Sequence, residues 1–343
     1  MSIVIAIIIF SLIVLFHEFG HFLLAKKNGI TVVEFALGMG PKIFSFEKGG
    51  TVYALKLLPF GGSCMMLGED EGIQEPGSFA SASVWARISV IAAGPVFNFI
   101  LAFFLSLIII ASIGYDKPVI LEVSDGYPAQ EAGLLEGDIV KKINNKHIAA
   151  AREVTNYVTF HQGEDVNMVV ERDGEELTFS MSPMDNGSGR YIFGIYCDSN
   201  YRQKCGILET LKYSVYEVKY WVELTVNSLK MMFQGQVSIN DVSGPVGVVS
   251  YIGETYEESQ SSGGFYVWLN MLNISILLTA NLGVMNLLPI PALDGGRLVF
   301  LIIEAIRGKS MDPEKEGMVH FAGFVLLMAL MVVVLFNDVR KLF

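Results

Sequence analysis

Apolar residues run without a charge from Ile3 to Phe16, pause at His17-Glu18-Phe19-Gly20-His21, and resume at Phe22-Leu23-Leu24-Ala25. At about 20 residues such a run is long enough to cross a bilayer as one helix. Three more apolar stretches follow, Arg87 to Ile113, Phe265 to Leu288, and a shorter one from Phe321 to Phe336. The pattern predicts four spans with both termini on the same side. Between the first two spans, glycines and prolines punctuate short apolar runs: Val32 to Leu37, Ile43 to Phe46 and Val52 to Leu58, broken at Gly38-Met39-Gly40-Pro41, Gly49-Gly50 and Pro59-Phe60-Gly61-Gly62. That punctuation predicts β-hairpins. Between the second and third spans, Val166 to Val170 and Leu177 to Met181 flank Asp173-Gly174, the signature of another hairpin.

Composition agrees with this division. The chain has 343 residues, 52% of them hydrophobic, and a mean hydropathy of +0.47, as expected of a membrane protein carrying a soluble part. The first segment lacks a basic leader and a small-residue cleavage site, so it reads as a retained helix. Lys26 and Lys27 follow the first span, Arg87 opens the second, and Arg297, Arg307, Lys309 and Lys315 lie between the third and fourth. The positive-inside rule places those segments in the cytoplasm and the stretch from about Tyr115 to Gly264 outside, with Arg340 and Lys341 pulling weakly the other way. A formal net charge of −11 argues against nucleic acid as a partner. Cys64, Cys197 and Cys205 have no metal-ligand spacing, and Cys197 and Cys205 fall on one side of the membrane, where they could pair.

The polar interruption of the first span carries the chemistry. On a helix, His17 and His21 share one face and can offer two imidazole nitrogens to one metal ion, while Glu18 can take a proton from water. This H-E-x-x-H arrangement is that of a zinc hydrolase. Ionisable residues at such depth cost on the order of 3 kcal/mol each unless they have partners; the alternative reading is a polar cluster joining helices. Fifteen residues from Ser2 at ~1.5 Å each put His17 about 23 Å into a ~30 Å core. The third span, entering near Phe265, reaches the same depth around Asn286 and then breaks at Pro289, Pro291 and Gly295-Gly296. Asp294 in that break is the candidate third ligand, against the plainer reading of a turn at a helix end. His147, His161 and His320 lack a ligand pattern and read as surface or interface histidines. A metal transporter and a non-catalytic membrane scaffold remain as other classes, though no inverted repeat supports the first.

HEFGHF (His17–Phe22), AAGPVFNF (Ala92–Phe99), SGPVGV (Ser243–Val248) and NLLPIPALDGG (Asn286–Gly296) together resemble the site-2 protease family of intramembrane zinc metalloproteases, in its bacterial branch carrying an extracytoplasmic PDZ domain. The resemblance covers nearly the whole chain. It implies Zn2+ held by His17, His21 and Asp294, with Glu18 as catalytic base. Asn286 would contact substrate backbone or the oxyanion, or else make an interhelical hydrogen bond, and Asn98 would give structural support. The hairpin at Gly61 and Gly62 would dip toward the membrane and pair with unwound substrate, although Ser63-Cys64-Met65-Met66 stands where relatives often have an aromatic residue and a lysine. The stretch Pro128 to Val140, followed by Lys142-Ile143-Asn144, looks like the start of a single PDZ core that either binds a peptide terminus or excludes large substrates.

The implied fold is a multi-pass α-helical membrane protein of about four transmembrane helices, with a cytoplasmic, membrane-associated β-hairpin region and one extracytoplasmic PDZ (α+β) domain. Its segments would be 1–26 (first span), 27–86 (hairpin region), 87–114 (second span), 115–197 (PDZ), 198–264 (helical linker), 265–296 (third span), 297–318 (cytoplasmic segment) and 319–343 (fourth span and C-terminus). The implied setting is a bacterial cell membrane with both termini outside. Substrates would be single-pass membrane proteins, such as an anti-sigma factor or a remnant signal peptide, cleaved within the lipid bilayer.

Overall fold

The computed structural model describes residues 2–69, 74–187, 191–198, 201–236 and 243–341. The chain forms two units, Met1–Leu105 with Ser228–Phe343, and Ser106–Asn227. The first unit opens with helix α1 (Ser2–Lys27), whose buried positions Ala6, Ile9, Ile13, His17, Gly20, His21 and Ala25 recur at helical spacing along one stripe. The far side, with Ile3, Val4, Ile8 and Leu12, is apolar yet exposed, as a lipid-facing surface allows. Both histidines therefore lie on the packed face.

Strands β1 (Val32–Lys48) and β2 (Thr51–Met66) pair antiparallel, but each bends back on itself. Phe44–Lys48 is registered with Thr51–Leu55 in a hairpin, while Glu34–Leu37 is registered both with Val52–Leu55 and with Gly62–Met65. Four segments thus lie side by side from two strands. Gly38 and Gly40 (φ 89° and 87°) and Gly61 (φ 77°) sit at the bends, in the left-handed region that only glycine adopts readily. The result is one doubled-back sheet instead of the separate hairpins that the punctuation predicts. It packs along α1: Ser11 donates to the Pro59 carbonyl (3.2 Å), and Phe22 meets Phe35 and Tyr53.

Helix α2 (Val84–Ile113) follows and leads to the second unit. There β3 (Tyr115–Asp116) and β4 (Glu122–Val123) precede the short helix α3 (Pro128–Ala132), closed by Gly133 in the left-handed conformation. Strands β5 (Ile139–Ile143) and β6 (Lys146–His147), helix α4 (Ala151–Phe160), and strands β7 (Val166–Arg172) and β8 (Glu175–Met181) complete a sheet of order β6-β5-β7-β8. The β7–β8 hairpin turns through Asp173 and Gly174, both at positive φ. Val166, Met168 and Val170 alternate inward on β7, onto a core with Val140, Ile143 and Leu134. Two-residue strands pair at the margin: β9 (Met184–Asp185) with β10 (Tyr191–Ile192), β11 (Ile195–Tyr196) with β4, and β12 (Arg202–Gln203) with β3. Cys197 and Cys205 are both free thiols, so the pairing open to them is not made.

Helix α5 (Ile207–Phe233) leads back to the first unit, followed by α6 (Pro245–Gln260), α7 (Gly264–Leu287), α8 (Asp294–Arg307) and α9 (Pro313–Lys341). Among the described residues four helices, Ser2–Lys27, Val84–Ile113, Gly264–Leu287 and Glu314–Lys341, are long and apolar enough to cross a membrane, and the chain is a multi-pass membrane protein. Two boundaries differ from expectation. The third span ends at Leu287, and Asp294 opens a new helix; Pro289 and Pro291 lack the N–H groups that would continue α7. The segment 297–318 is therefore largely helical. The fourth span, short by its apolar core of Phe321 to Phe336, extends to 29 residues in α9 because Glu314, Glu316 and Lys341 occupy end turns that can reach water. Asp338 on α9 accepts hydrogen bonds from the Gly244 and Gly247 N–H groups (3.0 and 2.9 Å), capping α6 from another helix.

Candidate metal centre

His17, His21 and Asp294 bring three donor atoms together in the first unit. His17 Nε2 and His21 Nε2 are 3.3 Å apart, and Asp294 Oδ2 lies 3.2 Å from the first and 3.4 Å from the second. Ligands at 2.0–2.1 Å from a tetrahedral zinc ion are separated by about 3.3–3.4 Å, so this triangle is one face of such a tetrahedron. Both histidines are buried, and Asp294 Oδ2 is buried with no hydrogen-bond partner. A carboxylate oxygen left that way and facing two imidazole nitrogens fits a cation-binding set.

The neighbouring helix prepares both imidazoles. His21 Nδ1–H donates to the Val90 carbonyl of α2 (2.9 Å), which leaves Nε2 as the bare nitrogen. The Asn98 side-chain amide lies 3.1 Å from His17 Nδ1, and Asn98 Oδ1 has no hydrogen bond with the amide nitrogen placed toward the ring. The two amide ends have the same shape. With Oδ1 turned toward the ring, His17 Nδ1–H donates to it, the orphaned oxygen is satisfied, and Nε2 is bare like that of His21. Thr279 of α7 donates to the Asn98 backbone carbonyl (3.2 Å), tying α2 to a third helix.

Close approach requires glycine on both helices. A Cβ on Gly20 would strike the Ala93 carbonyl, and a Cβ on Gly94 would strike both imidazole rings. Gly94 is the functional position that the sequence reading passes over: it lies inside AAGPVFNF, and its role depends on which helix packs there. Asp294 is aimed by the turn before it. A Cβ on Gly295 would meet the Leu287 and Leu288 backbone, and one on Gly296 the Ile290 carbonyl, so the glycine pair lets α8 begin tightly against that turn. Farther along α8, Arg87 of α2 donates two hydrogen bonds to Glu304 (2.5 and 3.2 Å), and Arg297 pairs with Glu69.

Glu18 lies beside the trio on α1, against the sheet. A Cβ on Gly62 would fall 2.9 Å from Glu18 Cγ, and the Cys64 backbone N–H is directed at the carboxylate. Burial pushes the Cys64 thiol up, with the Glu18 charge acting in the same sense, so that sulfur stays protonated next to the site. Gly61 faces Met39 and not the trio. Asn286 is half-buried in the last turn of α7 and makes no side-chain hydrogen bond among the described residues, so the interhelical bond weighed for it is absent there. His320, which reads as a surface or interface histidine, accepts a hydrogen bond from the Ala292 N–H (2.9 Å) in the turn before α8.

The chain is similar in sequence to known proteins over nearly its whole length. The profile of Peptidase family M50 matches residues 5–330. A Clostridium acetobutylicum protein is 37% identical over 98% of this chain and 97% of its own length. The zinc metalloprotease RasP of Geobacillus kaustophilus is 34% identical, covering 100% of this chain and 98% of itself. The regulator of sigma-W protease RasP of Bacillus subtilis is 32% identical over 98% of both. With the profile spanning nearly its whole length, this chain belongs to Peptidase family M50.

Proposed function

We propose that this chain is an intramembrane zinc metalloprotease that cleaves single-pass membrane proteins within the bilayer. The observation that carries the reading is the triangle of His17 Nε2, His21 Nε2 and Asp294 Oδ2, with edges of 3.2 to 3.4 Å, buried between membrane-spanning helices. These three residues would hold the ion and leave a fourth position open. Zinc bound there would make water a competent nucleophile near neutral pH and polarise a peptide carbonyl.

The remaining work falls to the chain itself. Glu18, adjacent to His17 and beside the trio, accepts the proton of the attacking water and returns it to the leaving amide nitrogen. A substrate helix shields its carbonyls with internal hydrogen bonds and must unwind before attack. Two features suit the unwound strand. Segment Gly62–Met65 pairs with Glu34–Leu37 on one side only among the described residues, and its Gly62 abuts Glu18, so its other edge can take an added strand. Asn286, with its amide uncommitted one turn before the break, can contact the same backbone. Asn98 serves as structural support by orienting His17.

We read the second unit, with its β6-β5-β7-β8 sheet and helices α3 and α4, as a PDZ domain that would either take a peptide terminus at its sheet edge or exclude large ectodomains by its bulk. Lysine and arginine near the ends of the spans favour an orientation with this unit and both termini outside and the β1–β2 sheet on the cytoplasmic side. The substrate class is a single-pass membrane protein such as an anti-sigma factor or a remnant signal peptide, and the relative named regulator of sigma-W protease supports the first of these.

The test is cleavage of a tagged single-pass segment by the purified chain in detergent. Cleavage should disappear with Glu18→Gln, which retains zinc, and with a zinc chelator, and should return on adding zinc back. Undiminished cleavage by the Glu18→Gln variant would sink the mechanism.

A further inference from the structure

We infer that His320 is a positioning residue for the third metal ligand: α9 holds the turn that aims Asp294, through a side chain outside the ligand set. The inference rests on the zinc reading of the trio. Its basis is the hydrogen bond that His320 Nδ1 accepts from the Ala292 N–H, 2.9 Å long and two residues before Asp294.

The turn is held from outside as well as by its own backbone. Ala292 has φ 75°, a left-handed conformation that a residue with a Cβ rarely adopts. Pro289 and Pro291 have no N–H to contribute, and the local backbone bonds run from the Ile290 N–H to the Leu288 carbonyl (2.7 Å) and from the Leu293 N–H to the Ile290 carbonyl (3.2 Å). The Ala292 N–H is bonded to a side chain on a separate helix, which adds a fixed point outside the turn.

His320 also touches the other side of Asp294. Its ring packs against Phe300 of α8, with centroids 5.5 Å apart, so one imidazole contacts both the turn before the ligand and the helix after it. One helical step farther on α9, Gly323 passes so close to Pro291 that a Cβ there would collide with the proline ring and carbonyl. The Ala292 N–H donates to Nδ1, so the ring proton is on Nε2, on the side where Glu316 lies 3.9 Å away, one turn earlier. Asp294, Arg297 and His320 line one cavity of about 340 Å³, which places the positioning group in the ligand's surroundings.

The contact separates positioning from simple packing, because an asparagine at 320 can still present an acceptor oxygen whereas an alanine cannot. Zinc affinity of the full-length chain in detergent is measured by competition with a chelator of known affinity, for the native chain, His17→Ala, His320→Ala and His320→Asn. Amide hydrogen exchange over residues 290–296 is followed in parallel. His320→Ala should weaken zinc on the order of 10-fold, as loss of an outer support does, and speed exchange at Ala292. His320→Asn should restore most of both. Native zinc affinity in His320→Ala overturns the inference while leaving the metal site intact, and so does equal weakening by both variants, which is the mark of lost packing. A native chain with no more affinity than His17→Ala overturns the zinc reading itself and this inference with it.

Discussion

Arg152 in the second unit and the His17–His21–Asp294 trio in the first both gather ionisable groups away from water. Around Arg152 every charge is answered: its guanidinium donates to both oxygens of Asp116 (3.0 and 2.9 Å) and to Glu217 (2.9 Å), with the Tyr220 ring 5.2 Å away. Burial lowers the Arg152 pKa, but the two carboxylates outweigh it and hold it above its ordinary value, so the guanidinium stays charged. The trio is different. Its three donor atoms face one another at 3.2 to 3.4 Å, and Asp294 Oδ2 finds no hydrogen bond. A closed cluster fixes a fold, whereas an open one of acceptor atoms is complete only with a cation between them.

The closed cluster should give the larger loss of stability. Arg152→Ala leaves Asp116, whose side chain is 2% exposed, as a buried carboxylate without its partner. Removing one partner of such a pair costs about 3–5 kcal/mol. Thermal unfolding or limited proteolysis of the second unit should show it, and zinc affinity should hold, since none of these residues belongs to the trio. Unchanged stability would mean that the cluster is not what holds β3, α4 and α5 together.

The open cluster should respond to shape before it responds to stability. Alanine is favoured over glycine inside a helix by about 1 kcal/mol, yet a Cβ at Gly94 would strike both imidazoles. Gly94→Ala should therefore lower cleavage on the order of 100-fold, the effect of displacing reacting groups by about 1 Å, with zinc affinity falling alongside. Gly94→Ala with native turnover would show that the rings have room the packing does not reveal. Third in size is Asn98. Asn98→Leu should weaken zinc by about 10–100-fold as an outer hydrogen-bond partner is lost. Asn98→Asp keeps an acceptor for His17 Nδ1–H and should bind zinc at least as well as the native chain; the opposite ranking would mean that the amide nitrogen faces the ring.

What was legible in the sequence follows the range of the interaction. His17 and His21 are readable because helical spacing alone puts them on one face, and Asp294 because it is the acidic residue in the break that follows Asn286, which helix rise puts at their depth. The four spans are readable from hydropathy, a local property. Gly94 and His320 were not, since their roles arise from which helix approaches α1 and which helix approaches the 288–293 turn. The doubled-back register of β1 and β2 was equally hidden: glycines at 38, 40 and 61 mark bends, but pattern alone does not say that Glu34–Leu37 finds neighbours on both sides.

The same contrast can be sharpened within the sheet beside the metal centre, at a closed charge cluster of smaller consequence. Glu34 is buried on β1, and its carboxylate pairs with Lys42 (2.6 Å) and Lys56 (2.7 Å), tying the Glu34–Leu37 segment to a residue just before Phe44–Lys48 and to one just after Thr51–Leu55. Burial raises its pKa, but the two ammonium groups outweigh burial and bring it below the ordinary carboxylate range. A carboxyl with a lower pKa folded than unfolded stabilises the fold above its unfolded pKa of about 4.3 and loses that contribution as pH falls through the folded value. The Lys42 ammonium is nearly half exposed, so solvent screens part of the gain and the effect should be the smallest of the four. Hydrogen exchange of Glu34–Leu37 and Gly62–Met65 should rise on acidification below about pH 4 in the native chain, and Glu34→Gln should flatten that dependence. If Glu34→Gln exchanged with the native pH profile, the acid sensitivity of the sheet would come from a carboxylate other than Glu34, and the Lys42–Glu34–Lys56 cluster would not be what holds these segments together.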